Sequence, residues 1–209
     1  MDTRLLLISH AATASQRAGR FPSDDPLDAR GTAEAQAARA RLALAHEARV
    51  FTSPAACARD TAAALGLNAT PAAALADIDY RDWRGQRLAD LANEAPLQLA
   101  AWTRDADTAP PGGESFSQLV QRIGAWLDAP DGPTTSASTC NAANPAPPAA
   151  SPQTHTVLAI THAPLLRAAI VHALGASAQV FPRIEIAPLS VVELRHSRRG
   201  WTWWPAATR

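Results

Sequence analysis

Two segments from opposite ends of the chain follow the same pattern: Leu5-Leu6-Leu7-Ile8-Ser9-His10-Ala11 and Val157-Leu158-Ala159-Ile160-Thr161-His162-Ala163. Each is a short aliphatic run that stops at a hydroxyl residue followed by a histidine. Near-continuous aliphatic runs are the signature of parallel strands buried on both faces. In an open α/β sheet, ligands sit beyond the carboxyl ends of the strands. Two imidazoles delivered there converge on one pocket, where they can transfer groups or protons or hold a metal.

The elements that must carry them read as follows. Residues 3–9 form a first strand, and residues 11–29 a loop interrupted by Gly19, Pro22 and Pro26. Arg30 to about Ala48 is a long alanine-rich helix. Val50–Thr52 is a strand, after which Ser53 caps a helix with Pro54 at its first position and Gly66 as its stop. Residues 71–83 are mostly non-helical. Leu88–Arg104 forms one or two helices broken near Pro96. Pro110–Gly113 is a turn. Ser115 caps an amphipathic helix with Phe116, Leu119, Ile123, Ala125 and Trp126 on its apolar stripe. Residues 131–154 are rich in Pro, Ala, Ser and Thr and read as a disordered linker. A strand at 156–161, a helix at 164–174 and strands near 189–194 and 201–204 complete the pattern. The last strand carries Trp201, Trp203 and Trp204, expected to pack on one face. Alternating strands and helices predict a three-layer α/β fold with a mainly parallel sheet. The chain reads as a single domain over 1–209, with a small helical cap at about 77–115.

Composition narrows the function. The chain has 209 residues and no net formal charge, and its nineteen cations are all arginine. There is no basic patch to bind nucleic acid or anionic lipid. No apolar run is long enough to span a bilayer, and the N-terminus does not read as a secretory signal. A cytoplasmic location is expected, with no membrane partner. Two cysteines, Cys57 and Cys140, do not make a disulfide framework.

Further short segments accompany the histidines. They are Asp25-Pro26-Leu27-Asp28-Ala29-Arg30-Gly31, Thr52-Ser53-Pro54 with Thr61-Ala62, Leu75-Ala76-Asp77-Ile78-Asp79-Tyr80 with Trp83-Arg84-Gly85, and Pro111-Gly112-Gly113-Glu114-Ser115. In this order they resemble the motifs of the histidine phosphatase superfamily, which includes the cofactor-dependent phosphoglycerate mutases and the α-ribazole phosphatases. The resemblance implies a phosphoglycerate mutase-like fold. It also implies a phosphomonoester hydrolase working through a phosphohistidine, with no metal or other cofactor. By this resemblance His10 is the nucleophile and His162 the second pocket histidine. Asp77 falls at the position of the acid that protonates the leaving oxygen, and Glu114 borders the pocket and can substitute for it. The short stretch between Gly85 and Gly112 and the Gly-Gly-Glu-Ser match favour a phosphatase over a mutase. The expected partner is a small phosphorylated molecule, and self-association as a homodimer stays open.

The departures are equally specific. Ser9 and Cys57 stand where the family has its two phosphate-cradling arginines, and Ala11, Ala163 and Arg81 replace family glycines. Losing one donor to a developing oxyanion typically costs on the order of 10²–10³ in rate. Arg17 and Arg20, in the loop after His10, are the first candidates to replace the missing charge, with Arg81 another. Arg59 should face away from Cys57, since helical residues two apart point about 200° apart. A catalytically inactive member that binds an anion, a phosphorylated ligand or a protein is the alternative. His10, His162, Cys57 and Asp77 are also soft or borderline metal ligands, but their spacing along the chain matches no recognised metal motif.

Overall fold

The structure, a computed structural model, describes residues 2–42, 48–129, 132–133 and 154–205. Six strands form one sheet in the order β3-β2-β4-β1-β5-β6, comprising β1 (Asp2–Ser9), β2 (Arg49–Thr52), β3 (Thr70–Pro71), β4 (Thr154–Thr161), β5 (Val191–Ser197) and β6 (Gly200–Trp204). The β3-β2-β4-β1 part is parallel, and β5 and β6 add an antiparallel edge. The α/β expectation therefore holds.

Side chains alternate across the two central strands and feed two apolar layers. Leu5, Leu7, Val157 and Ala159 face a cluster that includes α6 (Phe116–Asp128) and α7 (Ala163–Ala173). Ile8 and Ile160 face Ala58 and Ala62 of α3 (Ala56–Ala64), which packs on α2 (Ala29–Leu42). The remaining helices are α1 (Ala14–Arg17), α4 (Leu88–Glu94) and α5 (Pro96–Arg104).

The β1–β4 register explains the matched sequence segments. Ser9 stands opposite Thr161, so His10 and His162 emerge side by side. The His10 N–H donates to the Thr161 carbonyl at 2.8 Å, extending the ladder one step beyond the strand. Likewise the Ser53 N–H donates to the Ile160 carbonyl at 2.8 Å, placing Ser53 at the same end of the sheet.

Some local expectations are corrected. Ser53 does not cap α3, whose N-cap is Ala55 without a side-chain bond. A short helix, α1, interrupts the loop after His10, because Thr13 and Gln16 close a capping box. Ser115 caps α6 with a second such box, but Ala125 is exposed and Gly124 takes the buried position. In β6 only Trp201 is buried, while Trp203 and Trp204 are 46% and 44% exposed. The helix expected to reach Ala48 is described only to Leu42, and 43–47 lie outside the described residues. The 131–154 linker also lies outside them, apart from 132–133 and the first residue of β4. Among the described residues, no helix is long and apolar enough to cross a membrane.

One buried hydroxyl ties the sheet to the segment that leads to Asp77. Thr161 Oγ1 donates to the Leu75 carbonyl at 2.8 Å, and both residues are fully buried. Thr161→Val keeps the shape but strands that carbonyl, so urea denaturation should show a loss of about 1–3 kcal/mol. An unchanged midpoint would mean the bond contributes nothing.

Candidate active site

Three strand ends build the floor of the site: His10 after β1, His162 after β4 and Ser53 after β2. The two imidazole centroids lie 4.9 Å apart with the rings edge to face at 68°. Both histidines are buried. His10 Nδ1 lies 2.8 Å from the Ala11 carbonyl oxygen. A carbonyl can only accept, so the neutral ring carries its proton on Nδ1 and keeps a lone pair on Nε2. Burial, reinforced by His162, pulls the His10 pKa down to about 4. Burial, with Arg122 contributing, pulls His162 down to about 3. Both rings are thus neutral at pH 7.

His162 is held from two sides. Its Nε2 lies 2.9 Å from Ser53 Oγ, which also accepts from the Ala55 N–H at 3.2 Å. Its Nδ1 approaches Asp77 Oδ2 at 3.3 Å, off-line for a hydrogen bond, which leaves this buried nitrogen without a hydrogen-bond partner. Burial lifts the Asp77 carboxyl to about 6, against the pull of His10, its own bond from the Ile78 N–H and Arg122. That value suits a proton donor working in mildly acid solution.

Asp77 sits in an irregular segment, and an arginine that sequence reasoning missed holds it there. Arg122, on α6, donates to Glu114 through Nε at 2.9 Å and Nη2 at 2.8 Å. Its remaining donors reach the carbonyls of Ala74 at 2.7 Å, Ala76 at 3.0 Å and Asp77 at 3.2 Å. Glu114 therefore works as the anchor of this clamp and does not line the cavity around the two histidines. The Gly-Gly-Glu-Ser turn docks on the same segment: the Glu114 N–H donates to the Asp79 carbonyl at 2.8 Å. A Cβ on Gly113 would stand 2.2 Å from that carbonyl oxygen, so only glycine fits. The signal in the sequence was an arginine two helical turns beyond the motif glutamate.

The other expected residues are placed as follows. Cys57, on the first turn of α3, is buried and lines the cavity, and burial pushes its thiol up to about 12. Ser9 is buried and does not line the cavity. Arg17 is exposed, pairs with Asp28 and donates to the Ala12 carbonyl, so it does not reach the histidines. Arg20 donates to the Gly85 carbonyl at 2.9 Å and borders a side lobe. Arg81 turns outward onto Asp79. Among the described residues, Arg84 is the one arginine lining the main cavity, and it bonds Asp79 at 2.8 Å.

The cavity at the strand ends, about 390 Å³, is lined by His10, His162 and Asp77 together with Asp24 and Asp25. A second lobe of about 400 Å³ shares both histidines and is walled by Phe21, Tyr80, Leu88 and Trp102. A polar end for chemistry thus adjoins an aromatic chamber.

The chain belongs to the histidine phosphatase superfamily (branch 1), whose family model matches residues 5–204. It is 33% identical over 128 residues to the bifunctional protein of Mycobacterium tuberculosis (strain ATCC 25618 / H37Rv) and to an uncharacterised protein of Mycobacterium bovis (strain ATCC BAA-935 / AF2122/97). That match takes in 58% of this chain and only 35% of each relative's length. Among solved structures, a mycobacterial glucosyl-3-phosphoglycerate phosphatase bound to VO3 superposes with a TM-score of 0.76 at 23% identity, covering 96% of both chains. A candidate α-ribazole-5′-P phosphatase from Escherichia coli str. K-12 substr. MG1655 gives 0.77 at 21% identity, covering 97% of this chain and 94% of the other. These likenesses show the phosphoglycerate mutase-like fold.

The clamp predicts a separable defect. Arg122→Lys keeps the charge but loses the planar fork that grips Glu114 and three carbonyls. Thermal denaturation should show a folded protein. The alkaline limb expected from Asp77 in a pH–rate profile should broaden or shift, which a remote structural change would not produce. An unaltered profile would remove Arg122 from the positioning of Asp77.

Proposed function

We propose that the protein hydrolyses phosphomonoesters through a phosphohistidine on His10. The observation that carries this reading is the tautomer: the Ala11 carbonyl holds the His10 proton on Nδ1, so Nε2 presents its lone pair. In the first step Nε2 bonds to phosphorus while the bond from phosphorus to the ester oxygen breaks. The Asp77 carboxyl gives its proton to that departing oxygen. In the second step water attacks the phosphohistidine, Asp77 takes the water's proton, and inorganic phosphate leaves with the imidazole restored. Ser53 orients His162 beside the phosphoryl group. The aromatic lobe favours an ester whose organic part is flat and apolar.

The missing cationic cradle sets the expected rate. Phosphoryl transfer relies on charge stabilisation at the equatorial oxygens. Ser9 and Cys57 supply none, and Arg84 is already engaged by Asp79. Two donors lost, each worth on the order of 10²–10³, predict slow turnover. The supports for a phosphatase over a mutase are the short cap and the Gly-Gly-Glu-Ser turn. A small phosphorylated molecule and a cytoplasmic setting belong to the same reading, and self-association as a homodimer is no part of the mechanism.

Two experiments follow. Purified protein should slowly hydrolyse an aryl phosphate in metal-free buffer, and His10→Ala should reduce this to background. Equal, negligible rates in both proteins would favour the non-catalytic binder. The rate should also be bell-shaped in pH. It rises through about 4 as His10 loses its proton and falls through about 6 as Asp77 loses its own. Asp77→Asn should lower the rate and flatten the alkaline limb, whereas a rate that climbs to pH 8 would exclude Asp77 as the acid.

A further inference from the structure

We infer that His10, Cys57 and His162 form a zinc site at the floor of the cavity, whose occupancy excludes the phosphoryl reaction. Their spacing along the chain matched no metal motif, yet the fold brings one ligand atom from each within 4.8 Å of the others, all three residues being buried. Two imidazoles and a thiol are the donor set zinc prefers. Magnesium and calcium take oxygen ligands and do not suit it.

The surroundings favour a cation. Metal-binding imidazoles usually give their other ring nitrogen to a carbonyl or a carboxylate. His10 Nδ1 already does so with the Ala11 carbonyl, and His162 Nδ1 stands 3.3 Å from Asp77 Oδ2. Binding through His162 Nε2 requires that Ser53 Oγ release it, and the Cys57 thiol gives up its proton to solvent as the metal takes the thiolate. The cavity and its adjoining lobe hold three carboxylates, Asp24, Asp25 and Asp77, against two arginines, Arg84, which is bonded to Asp79, and Arg20, which donates to the Gly85 carbonyl. A helix N-terminus ordinarily attracts an anion. At α3 that place is taken by the chain itself, because Asp24 Oδ1 accepts from the Ala56 N–H at 2.7 Å. Phosphate meets little positive charge here, whereas a divalent cation meets three donors and a negative wall.

The inhibitory consequence rests on the phosphatase reading, since His10 Nε2 cannot both hold zinc and attack phosphorus. The site itself does not rest on it. The test uses the full chain without a histidine tag, stripped with a chelator. Zn²⁺ is titrated against a chromophoric competitor, and Co²⁺ is added separately as a spectroscopic probe. The expected result is one ion per chain and a thiolate-to-cobalt charge-transfer band. Cys57→Ser and His162→Ala should each weaken Zn²⁺ binding by at least about 100-fold, since even outer partners of a ligand are worth 10–100-fold. Cys57→Ser should also abolish the band, while Cys140→Ala leaves both readouts unchanged. Circular dichroism checks that each variant is folded, with Cys57→Ala as a second replacement of the thiol. Absence of stoichiometric binding, or affinity and band unaffected at Cys57, overturns the site. Failure of the phosphatase reading would show elsewhere, as aryl phosphate turnover in metal-free buffer that is indifferent to His10.

Discussion

Everything at the site depends on the parallel pairing of β1 with β4. Residue for residue, Ser9 lies against Thr161, and the next residue on each strand is a histidine. A slip of one position would send one imidazole to the opposite face of the sheet. The register is held because both strands are buried on both faces, so either alternative would expose aliphatic side chains or bury mismatched ones. The extra rung from the His10 N–H to the Thr161 carbonyl carries the constraint past the strand ends.

Burial then sets the chemistry. With serine and cysteine in place of the two arginines, low dielectric is the largest influence on the groups gathered at the strand ends. It keeps both imidazoles neutral, lifts Asp77 towards neutrality and holds Cys57 as a thiol. A neutral nucleophile beside a protonated acid is a workable pair for phosphoryl transfer in mild acid. The same lack of cations makes the cavity a poor cradle for a phosphate dianion and a better host for a borderline-soft metal. The two uses compete for one nitrogen.

Much of this was legible in the residues. The aliphatic runs, the Pro96 break and the Ser115 cap rested on local signals, and the structure contains each of them. The motif order led to the family and to the position of His10, His162 and Asp77. What escaped was tertiary. Ser53 reads as a helix cap, but the β2–β4 ladder turns it towards His162. Arg17 stands near His10 along the chain, whereas Asp28 claims it; Arg20 lines the lobe shared by both histidines and spends one donor on the Gly85 carbonyl. Arg122 lies off the apolar stripe of an amphipathic helix, and its role depends on three carbonyls from a segment distant in the chain. Glu114 keeps its place in the motif, but its partner makes it an anchor. Side-chain pairing across long sequence separations leaves no periodic trace.

Nitrogen-15 NMR of the histidine rings tests the central claim most directly. The account predicts that at pH 7 His10 is neutral and protonated on Nδ1, that it titrates near 4, and that its ring protons show through-space contacts to those of His162. A His10 ring that titrates near the ordinary value of about 6.5, carries its proton on Nε2 or shows no contact with His162 would contradict it.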